Sequence, residues 1–317
     1  ANTLHAYLRV LEESAPRAFL LENVEGLAFE GKDEALSLIM AELTRINEVK
    51  GTSYSASIAV LNAADFGVPQ LRRRLFIVGS RNGEQFEFPS PDHFDRKALS
   101  VDDNRMPHRT AWDALHDVEV DEAELAPKGK WAELLPTIPE GRNYLWHTER
   151  GGGEALFGWR RRYWSFLLKL AKAEPAWTLQ AQPGPATGPF HWKSRRLSMR
   201  EMARLQTFPD DYMVTGSVAD AQRQLGNAVP SLLGEVLARA ITRQLLGRPE
   251  VEATPALTLP PAPPLPEPEP VAVVPATYLQ LRGEHEPHPG TGRGYRATEQ
   301  NQSTDRVAEQ KITEPAA

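Results

Sequence analysis

Apolar positions recur at helical spacing from the start of the chain. Leu4, Tyr7, Leu8 and Leu11 share one face over Thr3 to Glu13, with Asn2 or Thr3 placed to cap and Pro16 closing the segment, which predicts a helix. Ala18 to Val24 is a short apolar run and predicts a strand buried on both faces, as in parallel sheets. Glu22 and Asn23 fall at its C-terminal end, the edge where open α/β sheets bind ligands. Glu34 to Val49 predicts a second amphipathic helix, with Leu36, Ile39, Met40, Leu43 and Ile46 on one side. Tyr54 to Leu61 and Arg74 to Gly79 predict two more strands, joined through a connection containing Gly67 and Pro69. The order helix, strand, helix, strand, strand predicts an α/β fold that is the second half of a doubly wound sheet.

The periodicity then lapses. Residues 81–195 scatter Pro, Gly and Trp through the chain, with one helix expected within 154–173, clearest at Phe166 to Ala171; this predicts a small irregular unit inserted into the first. Ser198 followed by Glu201 is a capping-box pattern that opens a helix. Pro230 to Leu246 predicts a terminal helix: Pro suits its first turn, Leu233, Val236, Leu237, Ala240 and Ile241 form a stripe, and Gly247 stops it. From Pro249 the Pro-rich run reads as a polyproline-type linker, and beyond Tyr278 the polar composition predicts disorder. The expected organisation is therefore 1–80, 81–195, a return at 196–247, and a Pro-rich tail at 248–317.

Charge changes this picture only locally. The net charge of -6 does not mark a nucleic-acid binder. From Arg142 to Arg200, however, 11 Lys/Arg face 3 Asp/Glu, whereas 81–141 holds 7 against 14 and 249–317 holds 5 against 10. The basic middle segment is either a solvated surface or a place to hold DNA phosphates. No apolar run approaches the length of a membrane span and no signal-peptide pattern opens the chain, so a cytoplasmic protein without a membrane partner is expected. The absence of cysteine excludes disulfides and thiolate metal sites, and no metal site is expected.

Four unusual segments lie in order: Leu21-Glu22-Asn23-Val24; Leu61-Asn62-Ala63-Ala64-Asp65-Phe66-Gly67-Val68-Pro69 running into Gln70-Leu71-Arg72-Arg73-Arg74; Arg200-Glu201 with Leu205-Gln206-Thr207-Phe208-Pro209-Asp210; and Gln224-Leu225-Gly226-Asn227-Ala228-Val229-Pro230. Together they resemble the later motifs of the DNA (cytosine-5) methyltransferases. The resemblance covers roughly residues 1–247. It implies the C-terminal half of a Rossmann-like methyltransferase sheet with 81–195 as an inserted target-recognition domain. The cofactor it implies is S-adenosyl-L-methionine and the substrate duplex DNA. In that family a thiolate adds to carbon 6 of a cytosine turned out of the helix, so that carbon 5 can take the methyl group.

By resemblance, Glu22 is the acid beside ring nitrogen 3, a role suited to a buried carboxyl. Arg74 contacts the everted base and Glu22, and Arg72 helps to hold the phosphate backbone. Alternation along a strand lets Arg72 and Arg74 share a side and turns Arg73 away. Asn227 and Ala228 match positions that touch the cofactor, ahead of a helix whose first backbone donors are expected to be free; Asn227 reads equally as that helix's cap. Gln70 and Arg160, Arg161 and Arg162, beside Trp159, Tyr163 and Trp164, are candidate DNA contacts, although such aromatics are more often core. Glu201 is expected to cap and Arg200 to pair internally.

The chain departs from the family in what it lacks. No Phe-x-Gly-x-Gly loop, acidic ribose contact or Pro-Cys nucleophile precedes Glu22. The resemblance thus implies a fragment, one half of a split enzyme with a partner chain carrying the missing motifs, or a degenerate enzyme, inactive alone in each case. A cognate restriction endonuclease is a further expected partner. The rival reading is a non-catalytic DNA-binding or regulatory subunit.

Overall fold

The computed structural model describes residues 2–25, 34–96, 104–158 and 164–283. In chain order its elements are α1 (Asn2–Ser14), β1 (Ala18–Val24), α2 (Glu34–Lys50), β2 (Ser55–Asn62), β3 (Gln70–Leu71), β4 (Arg73–Ser80), β5 (His93–Phe94), β6 (Met106–Pro107), α3 (Ala111–Leu115), β7 (Ala176–Trp177), α4 (Met199–Leu205), α5 (Val218–Asn227), α6 (Ser231–Leu245) and α7 (Ala276–Leu279).

The first unit is a mixed α/β sandwich. Its sheet has the order β1-β4-β2, with β4 antiparallel to both neighbours. Alternation along the strands gives two apolar faces. Phe19, Leu21, Leu75 and Ile77 meet Leu8 and Leu11 of α1 and Ile39, Leu43 and Ile46 of α2. On the other face Leu61 and Phe76 meet Leu232, Leu233 and Leu237 of α6, and Val78 meets Leu245.

Two expectations are corrected here. The sheet is not parallel throughout, because β4 enters antiparallel between β1 and β2. Nor is β1 buried on both faces: it is a sheet edge, with Leu20 37% and Val24 55% exposed. The antiparallel insertion matters for function. It brings the start of β4 to the same edge as the ends of β1 and β2, pairing Val24 with Arg74 and Asn62 with Arg73.

The second unit is built mostly from loops. The expected helix within 154–173 is not formed among the described residues of that stretch. Its backbone groups go to neighbouring segments instead: Leu167 N–H to Ala186 O, Lys169 N–H to Arg142 O and Leu170 N–H to Phe190 O. Leu167 itself is left-handed, at φ 53°. Leu156, Leu167 and Phe190 join Leu134, Leu135, Ile138 and Tyr144 in one aromatic-rich cluster. A second cluster runs across the expected boundary at 195, joining Ala111, Leu170 and Trp192 to Met202, Leu205 and Leu225.

The tail also departs from expectation. Up to Gly283 it is a docked strap rather than a free linker. Arg109 donates to the carbonyls of Leu259 and Pro260, Trp112 Nε1 to Pro263 O, and Lys172 to Glu267 O. Tyr278 is buried against Trp131, and its hydroxyl donates to Lys130 O at 2.7 Å. A polyproline segment makes no hydrogen bonds within itself, so its carbonyls are open to donors from elsewhere. Residues 284–317 lie outside the described residues.

Candidate active site

The site is assembled at the edge where β1 and β2 end and β4 begins. Asn62 closes β2, and the next four residues form a 3-10 turn that ends at Gly67 in the left-handed region, φ 81°. A Cβ at Gly67 would also lie 2.9 Å from the His93 ring, so both backbone and space favour glycine. The Asn62 side chain accepts from Arg72 N–H at 3.1 Å, and Ala63 N–H donates to Arg72 O at 2.9 Å. The Leu-Asn-Ala-Ala-Asp-Phe-Gly segment is thus a clasp that fixes where β4 starts.

Glu22 and the two arginines are brought together. Arg74 Nε lies 3.0 Å from Glu22 Oε1, with the two side chains 16% and 25% exposed. The expected contact of Arg74 with Glu22 is thus present, although the Glu22 carboxyl is only partly buried. Arg72 is 1% exposed and donates through Nη2 to Gly226 O at 3.0 Å. Its Nε and Nη1 have no acceptor among the described residues. Burial, then the charge of Arg74, push Arg72 down to about 10, with Glu22 acting against them. Arg73 is exposed and pairs with Glu25 at 2.7 Å.

Arg72 also ties this edge to the segment proposed to flank the cofactor. Gly226 belongs to α5, and a Cβ there would come within 2.4 Å of the Ala181 backbone. Asn227 is exposed and Ala228 half-buried at the turn into α6. The expected free donors of α6 are in part occupied: Ser231 N–H donates to Gln206 O and Leu232 N–H to Thr207 Oγ1, both at 2.9 Å. Nor is Asn227 the cap of α6; it is the last residue of α5, and Pro230 holds the cap position. An exposed amide beside a half-buried alanine suits one wall of a cofactor site, but the Gly-rich and acidic walls have no counterpart in the sequence.

The expected DNA contacts fare differently. Gln70 is fully buried, with Nε2 donating to Leu205 O and Oε1 accepting from Leu179 N–H. It is removed from the DNA-facing set, because those two backbone groups need a partner inside the core. Arg160, Arg161 and Arg162 lie outside the described residues. Three of the eight described cations of the basic middle segment are interior, and the other five are exposed. Lys169 donates to Ile138 O, and burial pushes its ammonium down to about 8. Lys172 lies between Glu140 and Glu269 at 2.8 and 2.9 Å. Arg195 forms a two-pronged pair with Glu201 at 2.8 and 2.7 Å.

Glu201 also closes the capping box with Ser198, while Arg200 pairs with Asp210 at the surface. His191 lies 3.5 Å from Glu201, whose charge is already matched by Arg195. Burial first, and then the surrounding cations led by Arg195, push its imidazole down to about 2, so the ring stays neutral. Sequence reading missed α5, although Ser217-x-x-Asp220 carries the local capping signal that the structure shows in place.

Among the described residues no helix is long and apolar enough to cross a membrane, and no cluster of metal ligands is present. The family model of the C-5 cytosine-specific DNA methylases matches residues 1–243. Type II methyltransferase M.SacI of Streptomyces achromogenes is 43% identical over 258 residues, covering 77% of this chain and 65% of its own length. M.NgoFVII of Neisseria gonorrhoeae is 32% identical over 235 residues, covering 72% and 59%. M.MthTI of Methanothermobacter thermautotrophicus is 32% identical over 259 residues, covering 78% and 72%. The chain thus spans 65% and 59% of the first two relatives' lengths. Members of this family use S-adenosyl-L-methionine as methyl donor. By the motifs in their order and by the match over residues 1–243, the chain belongs to the C-5 cytosine-specific DNA methylase family.

Proposed function

We propose that this chain is the base-activating and DNA-recognising portion of a DNA (cytosine-5) methyltransferase of a restriction-modification system. The observation that carries the reading is the ion pair of Glu22 and Arg74, with Arg72 buried beside it, on one edge of the sheet. Glu22 holds the exocyclic and ring-nitrogen edge of an everted cytosine. Arg74 fixes the Glu22 carboxyl and offers donors to the base carbonyl. Arg72, whose Nε and Nη1 are buried without an acceptor among the described residues, takes an oxygen of the target nucleotide once DNA binding opens this edge. The cofactor supplies the methyl group when bound; Asn227 and Ala228 would line one side of it.

With no cysteine among 317 residues, the nucleophile comes from a polypeptide segment other than this one. The exposed edge of β1 is the natural place for that segment to add a strand, since an open apolar edge otherwise invites aggregation. The test is methyl transfer from labelled cofactor to cytosine-containing duplex. The chain alone is expected to transfer none. Activity on adding the N-terminal methyltransferase portion of the Streptomyces relative, lost again in Glu22→Gln, supports the split-enzyme reading. The same missing cysteine also fits a non-catalytic DNA-binding subunit, which duplex binding without transfer in that mixture would support. Transfer by this chain alone would overturn both.

A further inference from the structure

Resting on the DNA reading above, we infer that Trp164 is a stacking surface for a base of the bound duplex. Among the described tryptophans it alone is exposed, at 49%, whereas Trp112, Trp131 and Trp192 pack in or against the apolar clusters. A large indole left in water is informative in a way that a single exposed leucine is not.

The exposed ring is also held in place. Its backbone carbonyl accepts from Asn143 Nδ2 at 2.7 Å. Asn143 is 4% exposed, and its Oδ1 in turn accepts from Leu145 N–H at 3.0 Å. The Trp164 ring meets Trp177 edge-on, at 5.3 Å between centroids and 70° between planes. A fixed aromatic loses little freedom when a ligand arrives.

Its location points to the occupant. Trp177 stands in register with Leu71, and Thr178 Oγ1 donates to Leu71 O at 2.6 Å. Leu71 is bonded to Arg72. Strand spacing and one residue of chain therefore place the Trp177 backbone within about 9 Å of that of Arg72. The indole pair thus lies where the second unit joins the catalytic edge, with exposed Arg142 next to the asparagine that anchors Trp164. An exposed aromatic face, braced edge-on by a second indole and beside a site that takes one nucleotide out of a duplex, fits a neighbouring base.

The test uses the full chain and a fluorescently labelled 30-base-pair duplex pool of random sequence at low salt, read by anisotropy. Trp164→Ala is expected to bind roughly 5- to 150-fold more weakly, the range found when a stacking aromatic is removed. Trp164→Phe keeps a ring and most of the binding. Trp164→Leu keeps apolar bulk without an aromatic face, and loses binding at an unchanged melting temperature. Ala and Leu variants that bind as wild type would overturn the assignment, as would losses that follow melting temperature across all three. Failure of the wild-type chain to bind duplex is a separate result, and would overturn the DNA reading itself.

Discussion

Two glycines in neighbouring helices give opposite expectations for the same substitution. Gly234 in α6 has nothing within 4 Å of where a Cβ would stand, so Gly234→Ala gains helix propensity, about 0.8–1 kcal/mol. Gly226 in α5 has the same propensity to gain, but its Cβ would lie 2.4 Å from Ala181 Cα and N and 2.6 Å from Gln180 C. These are backbone atoms, which cannot swing aside, so α5 must move by most of an ångström. Overpacking of that kind costs about 1–3 kcal/mol. The shift also carries away Gly226 O, which accepts the single protein hydrogen bond of the Arg72 guanidinium at 3.0 Å. Losing a bond to a buried charge costs about 1.5–3 kcal/mol more. After subtracting the propensity gain, Gly226→Ala should destabilise by about 2–5 kcal/mol while Gly234→Ala is neutral or stabilising. Urea unfolding of the two variants beside the wild type measures the difference. A Gly226→Ala midpoint at or above wild type would show that α5 and the Ala181 segment are not in contact, and would remove the link between Arg72 and the turn at Asn227.

Three further expectations follow from buried contacts. Because the folded-state pKa of His191 lies well below the ordinary value of 6.5, the unfolded chain binds a proton that the folded chain refuses below that pH. Stability is therefore complete above pH 6.5 and falls by about 1.4 kcal/mol per unit below it, or about 2 kcal/mol by pH 5; melting of wild type and His191→Gln at pH 7.5 and 5 should show the variant losing less. Glu201→Ala leaves Arg195 buried without its carboxylate and removes one arm of the α4 capping box, so a loss of about 3–5 kcal/mol is expected by denaturant unfolding, and a loss under 1 would contradict the pair. Tyr278→Ala removes the ring stacked on Trp131 and should cost about 3–5 kcal/mol in the same assay; an unchanged midpoint would mean that the strap is not docked.

What could be read from the sequence was local, or repeated at a fixed period. The stripes of α1, α2 and α6 and the runs of β1, β2 and β4 lie in the sequence itself. So does the capping box at Ser198, whose two halves are three residues apart. What could not be read depended on partners far along the chain. The spacing of Arg72 and Arg74 is visible in the sequence, but the hydrogen bond of the buried Arg72 guanidinium to Gly226 O, 154 residues away, is not. Gln70 looks like a polar residue in a basic motif until the carbonyl of Leu205 is seen against it. Lys169, Lys172 and Arg195 count toward a basic surface only if Glu140, Glu201 and Glu269 are ignored, and those carboxylates are spread over 129 residues. The Pro-rich composition rules out a ladder or helix, as observed up to Pro275, but it says nothing about donors elsewhere that can hold an extended backbone.

The five residues from Gln70 to Arg74 show why the motif order carried so much. Each contacts a different part of the molecule. Gln70 reaches the end of α4, Leu71 pairs with the second unit through Trp177 and Thr178, Arg72 reaches α5, Arg73 holds Glu25 beyond β1, and Arg74 holds Glu22. Gln70 and Arg72 are buried, Leu71 and Arg74 half-buried and Arg73 exposed, so one short segment joins the edge of the sheet to α4, to α5 and to the second unit. Arg72 is the costliest member, a buried cation with two guanidinium nitrogens lacking an acceptor among the described residues. An apolar side chain of similar volume would make a more stable interior. On the function proposed above, that cost is offset when an oxygen of the target nucleotide completes the hydrogen bonding of Arg72.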